Sequence, residues 1–174
     1  MICDLMKTFQ TTLRSSLAAE LLLINTEKSV TLPVILSADI NIGVRSDFVT
    51  GTAIYIEPVD TEENPKLRQW TTRHGGRKHE QSFMGFTVEY RADKTDEDLV
   101  LFIGYVLHGI ERVLEKNFPA QNSRAPYFLA AVGIDFTPTL AVDDPKRESK
   151  RGRFRKAGTL LVDVREERGI GNDA

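Results

Sequence analysis

The chain has 174 residues, a formal net charge of −2, 41% hydrophobic and 28% charged residues, a balance that suits one globular domain with a core large enough to fold alone. A single cysteine, Cys3, excludes an intrachain disulfide and a thiolate-rich metal site and points to a reducing compartment. The sequence pI of about 6.0 argues against a general nucleic-acid binder, so any contact with DNA would be local.

In chain order, Leu5, Met6, Phe9, Leu13, Leu17, Leu21 and Ile24 recur every three to four residues, which predicts an amphipathic helix over Ile2–Ile24. Thr11, Thr12, Ser15 and Ser16 weaken helix propensity but sit mostly off the apolar stripe. Acidic Asp4 precedes Lys7 and no continuous apolar segment follows, a poor pattern for a signal peptide. No apolar run approaches the roughly 20 residues that span a bilayer, so a soluble, non-secreted protein with no membrane contact is expected.

Three short apolar pieces, Leu32–Leu36, Ile40–Val44 and Ala53–Ile56, are broken by Pro33, Gly43, Gly51 and Pro58 and read as short strands. The polar stretch Val59–Gln81, containing Pro65 and the Gly75-Gly76 pair, reads as a long arm or extended hairpin. Phe86, Val88 and Tyr90 then alternate with Thr87, Glu89 and Arg91, the period of a half-buried strand. Thr95 offers an N-cap, Asp96, Glu97 and Asp98 fill the first turn, and Pro119 follows the end of a second helix. Its stripe, Leu99, Phe102, Ile103, Val106, Leu107, Ile110, Val113 and Leu114, is wide enough to cover a sheet. Tyr127–Phe136 predicts a strand with Phe128, Ala130, Val132, Ile134 and Phe136 on one face, and Leu160, Val162 and Val164 mark another.

The tract Lys146, Arg147, Lys150, Arg151, Arg153, Arg155 and Lys156 joins these last two strands and reads as a solvated basic loop, free to meet an anionic partner or a neighbouring subunit. Asp143, Asp144, Glu166 and Glu167 flank it. Residues 1–168 are read as a single α+β domain, two main helices on a largely antiparallel sheet with a long charged arm and loop, and 169–174 as a disordered tail.

Chemistry-bearing motifs are sparse. His74 and His79 flank Gly75-Gly76-Arg77-Lys78, a cationic glycine-containing segment, but the final Lys-Ser/Thr of a phosphate-binding loop is missing and Glu80 is the only acidic neighbour for a metal. His108 falls beside the apolar stripe of the second helix and reads as a packing or boundary residue. Gly-x-Ser-x-Gly, His-Glu-x-x-His and Cys/His nucleophile patterns are absent. Asp39, Glu57 and Asp60, with Lys66 or Lys78, sketch a metal-dependent nuclease site, which needs paired carboxylates; with 25 acidic residues in the chain, a few at strand ends are ordinary. No cofactor, metal or catalytic residue is assigned and the expectation is a non-enzyme.

The order of elements, from the N-terminal helix through the strand Phe83–Arg91 and the helix Thr95–Phe118 to paired strands ending in Gly158-Thr159-Leu160-Leu161-Val162-Asp163-Val164, resembles the tail terminator (tail-completion) proteins of long-tailed phages. The likeness rests on element order and length and on no diagnostic motif. It implies a virion structural protein of the tail or neck, assembled in the host cytoplasm as a homo-hexameric ring on the tail tube. Such a ring stops growth of tube and sheath and joins the head-side connector, with nonspecific DNA contact in its channel. Arg73, Arg77, Lys78, Lys150, Arg151, Arg153 and Arg155 are the interface or DNA-channel candidates, on the reading that they cluster in loops. Alternatives are a head-side completion protein or other α+β adaptor module, and the nuclease.

Overall fold

The computed structural model describes residues 2–43, 51–59, 71–73, 77–92, 96–118, 127–136, 140–142 and 153–169. Two helices, α1 (Ile2–Lys28) and α2 (Asp96–Asn117), accompany the strands β1 (Ile40–Ile42), β2 (Gly51–Pro58), β3 (Thr71–Arg73), β4 (Arg77–Ala92), β5 (Tyr127–Phe136), β6 (Leu140–Val142) and β7 (Arg153–Gly169). The sheet runs β1-β2-β4-β7-β5, with β3 added to the start of β4 and β6 to the start of β7. Among the described strands only β1 and β2 pair in parallel, and every other pair is antiparallel. This is the α+β architecture that the mixed periodicities imply.

Both helices lie on one face of the sheet, α1 over β1 and β2 and α2 over β4 and β7. The two apolar stripes read from the sequence are the ones that are buried. Phe9, Leu13, Leu17, Leu21 and Ile24 from α1 and Leu99, Ile103, Val106, Leu107, Ile110 and Leu114 from α2 join Ile54, Ile56, Phe86, Val88, Leu160, Val162 and Val164 from the sheet. Each large side chain so buried contributes about 1.5–3 kcal/mol. Helix α1 runs past Ile24 because Ser29 takes the left-handed conformation at φ 54° and the Val30 N–H donates to the Asn25 carbonyl at 3.1 Å, the six-to-one bond of a Schellman ending. Serine rather than glycine at that position hides the stop signal from a sequence reading.

The helices are tied to each other by charge as well as by packing. Glu20, on α1, is buried; Lys116 Nζ lies 2.5 Å from its Oε2, and Arg112 Nε lies 2.6 Å from its Oε1 as an ion pair without the alignment of a hydrogen bond. Arg112 also donates to both oxygens of Glu27, at 2.6 and 3.1 Å, in a fork. These hydrogen bonds hold the Glu27 carboxyl below the usual carboxylate range, against an opposing upward pull from desolvation. A folded-state pKa below the unfolded one means that the contribution is present above the unfolded value and is lost as pH falls through the folded one. Glu27 is half exposed, so solvent screens the pair and the effect is small. Melting wild type and Glu27→Gln across an acid titration should give a stability gap near neutrality that closes in the acid range; a gap constant over that range would contradict the pairing.

Two expectations change. Leu32–Leu36 is extended but forms no strand: Pro33 lacks an N–H, the Leu32 N–H is taken by Asn25 Oδ1 at 2.9 Å, and the Leu36 N–H by Asp39 Oδ2 at 3.3 Å. Of the two readings of Val59–Gln81, arm or extended hairpin, the described residues take the hairpin, β3 against the start of β4, with Thr71 opposite His79 and Arg73 opposite Arg77. Finally, β5 slips register between Phe128 and Ala130 and again between Ala131 and Gly133. Each slip shifts the alternation by one, so Ala131, not Ala130, stands opposite Val162, and Ile134 and Phe136 fall opposite Leu160 and Gly158.

Candidate assembly surface

The basic residues singled out from the sequence are divided by the fold. Arg153 and Arg155 lie inside β7, and Lys156 next to them is buried, so this end of the tract is strand and not the solvated loop expected. The reason is partner supply: Arg153–Arg155 pair with β6 on one side, and β4 extends far enough to pair with Phe154, Arg155 and Lys156 on the other. Local charge counts for little against two ladders of backbone hydrogen bonds. Lys150 and Arg151 lie outside the described residues, as do Lys146, Arg147 and the N-cap candidate Thr95. Gly169, placed in the tail by the sequence, is the last residue of β7, and residues 170–174 lie outside.

Arg73, Arg77 and Lys78 occupy the β3–β4 hairpin, at the opposite end of the same two strands. From Arg77 to Arg91 is fourteen strand steps, about 45 Å at roughly 3.3 Å per residue. The five candidates among the described residues therefore fall into two groups, Arg73, Arg77 and Lys78 at one end and Arg153 and Arg155 at the other. At the hairpin end Arg73 stands opposite Arg77 and Lys78 opposite Arg168; at the other end Arg91 stands opposite Arg155. The hairpin end also sets His79 opposite Glu167 and Glu80 opposite Glu166, so the register there brings together residues of both signs.

β4 and β7 span 16 and 17 residues, much longer than β2. Their four pairs from Arg77/Gly169 to Glu80/Glu166 lie beyond the last pairing of both β2, at Met84, and β5, at Arg165. The strands thus leave the helix-backed body as a ribbon flanked by β3.

The two outer edges differ. At β1, the Ile40 carbonyl receives Gln10 Nε2 at 2.9 Å and Arg14 Nε and Nη2 at 3.1 and 2.8 Å, so α1 occupies that edge with its own side chains. At β5 no described strand pairs the outer side. Exposed apolar residues accompany both edges: Val34, Leu36 and Ile42 near β1, and Ile134 and Phe136 on β5 with Leu101 on α2. The sequence reading missed these, because an apolar residue in a periodic pattern is assigned to the core whether or not a layer exists above it.

The other sequence candidates are not gathered. Asp39 precedes β1 at the Ile54 end of β2, whereas Glu57 lies three residues beyond Ile54, on the order of 10 Å along the strand, and Asp39 is engaged by the Leu36 N–H. His108 is exposed on α2, 3.5 Å from Glu111; His79 is opposite Glu167 in the ribbon, and His74, Asp60 and Lys66 lie outside the described residues. Among the described residues no three His, Cys, Asp or Glu side chains form a metal-holding group, and no helix is long and apolar enough to cross a membrane. The sequence matches no model of a known protein family and no curated protein.

Proposed function

We propose that this chain is an assembly subunit of a phage tail, a tail terminator that forms a ring, six-membered in the family it resembles, at the end of the tail tube. In that role it ends growth of tube and sheath and presents the surface that meets the head-side connector in the virion neck. The observation that carries the reading is the β4–β7 ribbon, which projects beyond the body that the two helices cover. A ribbon of this kind lengthens the reach of a small domain at no cost to its core, and it suits contact with a neighbour. The basic residues placed at the two ends of the β4–β7 pair, Arg73, Arg77 and Lys78 at one and Arg153 and Arg155 at the other, support anionic neighbours, whether acidic protein surface or DNA phosphate.

Light scattering of the purified chain with negative-stain imaging tests the reading: a closed ring with a central hole is expected, since repeated identical heterologous contacts close into cyclic symmetry. Solitary molecules at high concentration under virion-like conditions would overturn it. Replacing Lys150, Arg151, Arg153 and Arg155 together by Glu should leave the fold intact, since a Glu at 155 would oppose Arg91 favourably, while head joining is lost. Normal yields of infectious particles from that variant would count against these residues as the contact.

A further inference from the structure

We propose that neighbouring copies join head to tail, the β5 flank of one copy covering the Val34–Leu36 flank of the next. This rests on the ring reading and names the two surfaces that close it. On the first flank, Ile134 and Phe136 are 48% and 37% exposed and Leu101 52%, and the outer side of β5 has no strand partner among the described residues. An uncovered strand edge beside apolar side chains is a template for association. On the second flank, Val34 and Leu36 are 82% and 60% exposed, while Leu32 and Ile35 of the same extended segment are buried. That segment presents apolar side chains outward from a backbone already anchored to the core.

The glycines of α2 point to the same flank. A glycine inside a helix costs up to about 1 kcal/mol relative to alanine, so each needs a reason. Gly109 has one: a Cβ there would stand 2.8 Å from Leu21 Cδ2 and 3.3 Å from Ile24 Cδ1 of α1. Gly104, five residues earlier and about 140° around the helix, has none among the described residues, since a Cβ there would meet nothing within 4 Å. It adjoins Ile103, and a Cβ on Gly158 would touch both Ile103 and Phe136, which places Gly104 beside the exposed β5 residues. Close approach of a second chain gives this glycine its role.

Charge completes the match. The flank of α2 around Gly104 carries Glu111 and the exposed Glu115, with His108 beside Glu111. Along the β1 side of α1 stand exposed Lys7 and Arg14, two turns apart, Arg14 fixed by its bonds to Ile40. The two flanks lie at opposite edges of the sheet, so a two-fold contact of either flank with itself would leave the other uncovered, and head-to-tail repetition is the arrangement that uses both.

The test uses two double variants of the full chain, V34D/L36D and I134D/F136D, each confirmed as folded by circular dichroism and melting. Each alone should lose assembly, and an equimolar mixture should give one-to-one heterodimers and nothing larger, because it contains one intact pair of flanks. Gly104→Ala should melt higher than wild type yet assemble at least tenfold more weakly, a combination that damage to the fold does not produce. Assembly like wild type in any of the three, or a mixture that stays monomeric, overturns the proposal while leaving the ring reading standing. A wild-type chain that is itself monomeric overturns both.

Discussion

Replacing Phe9 by alanine should lower the stability of the domain by about 3–5 kcal/mol, the range for deleting a fully buried aromatic ring. Phe9 has no exposed surface and stands edge-on to two rings, Phe86 of β4 at 5.5 Å and Phe118 after α2 at 5.1 Å between centroids. It is therefore the residue through which α1, the central strand and the end of α2 meet. Removing it leaves a cavity bounded by three separate elements, which cannot close by moving one side chain. For a chain of this length the loss corresponds to a fall in melting temperature on the order of 10 °C. Leu22→Ala on the outer side of the same helix, where the side chain is exposed, serves as the control and should stay within about 0.5 kcal/mol. A Phe9→Ala variant as stable as that control would mean that the helix does not pack as described.

Gly158→Val should destabilise by overpacking. A Cβ at this position would lie 2.6 Å from Ile103 Cγ2 and 3.1 Å from both Leu107 Cδ1 and Phe136 Cδ1, so α2 is seated directly on the backbone of β7. Adding even one methyl to such a contact costs about 1–3 kcal/mol, and the branched valine, with atoms directed further into α2, costs more than Gly158→Ala. Thermal unfolding of the two variants should rank wild type above alanine above valine. Gly104→Ala, which meets nothing, should move the other way. Equal melting of wild type and Gly158→Val would show that α2 does not rest on this strand.

The contrast between these glycines indicates how far the sequence could be read. Both occur in periodic segments, and nothing in the order of residues distinguishes a glycine that admits a helix from one that faces solvent. The same limit explains the basic tract. Arg153, Arg155 and Lys156 follow a charged run and look like loop, yet β6 pairs with Arg153 and Arg155 and β4 with Arg155 and Lys156, which draws them into β7. Arg73, Arg77 and Lys78 belong to a different predicted segment from the later arginines, and only the antiparallel pairing of β4 with β7 shows that the two groups lie at opposite ends of the same strands. The bulges of β5 were equally silent, since Tyr127–Phe136 keeps an alternating composition while its register slips twice.

Local periodicity was sufficient to define α1, α2, the central strand, β5 and the end of β7, and with them the α+β class, because a repeat of 3.6 or 2 residues reports which side of an element leaves water. It does not report which element arrives to cover that side. Contacts such as Thr87 with Thr159, 2.8 Å apart across 72 residues, set strand order, and strand order alone decided that β5 and β1 are the edges, that β4 and β7 outrun the body as a ribbon, and that Ile134, Phe136, Val34 and Leu36 are left uncovered. Burial is a property of the whole packed chain, so the residues available to a partner emerge only when every internal pairing has been made.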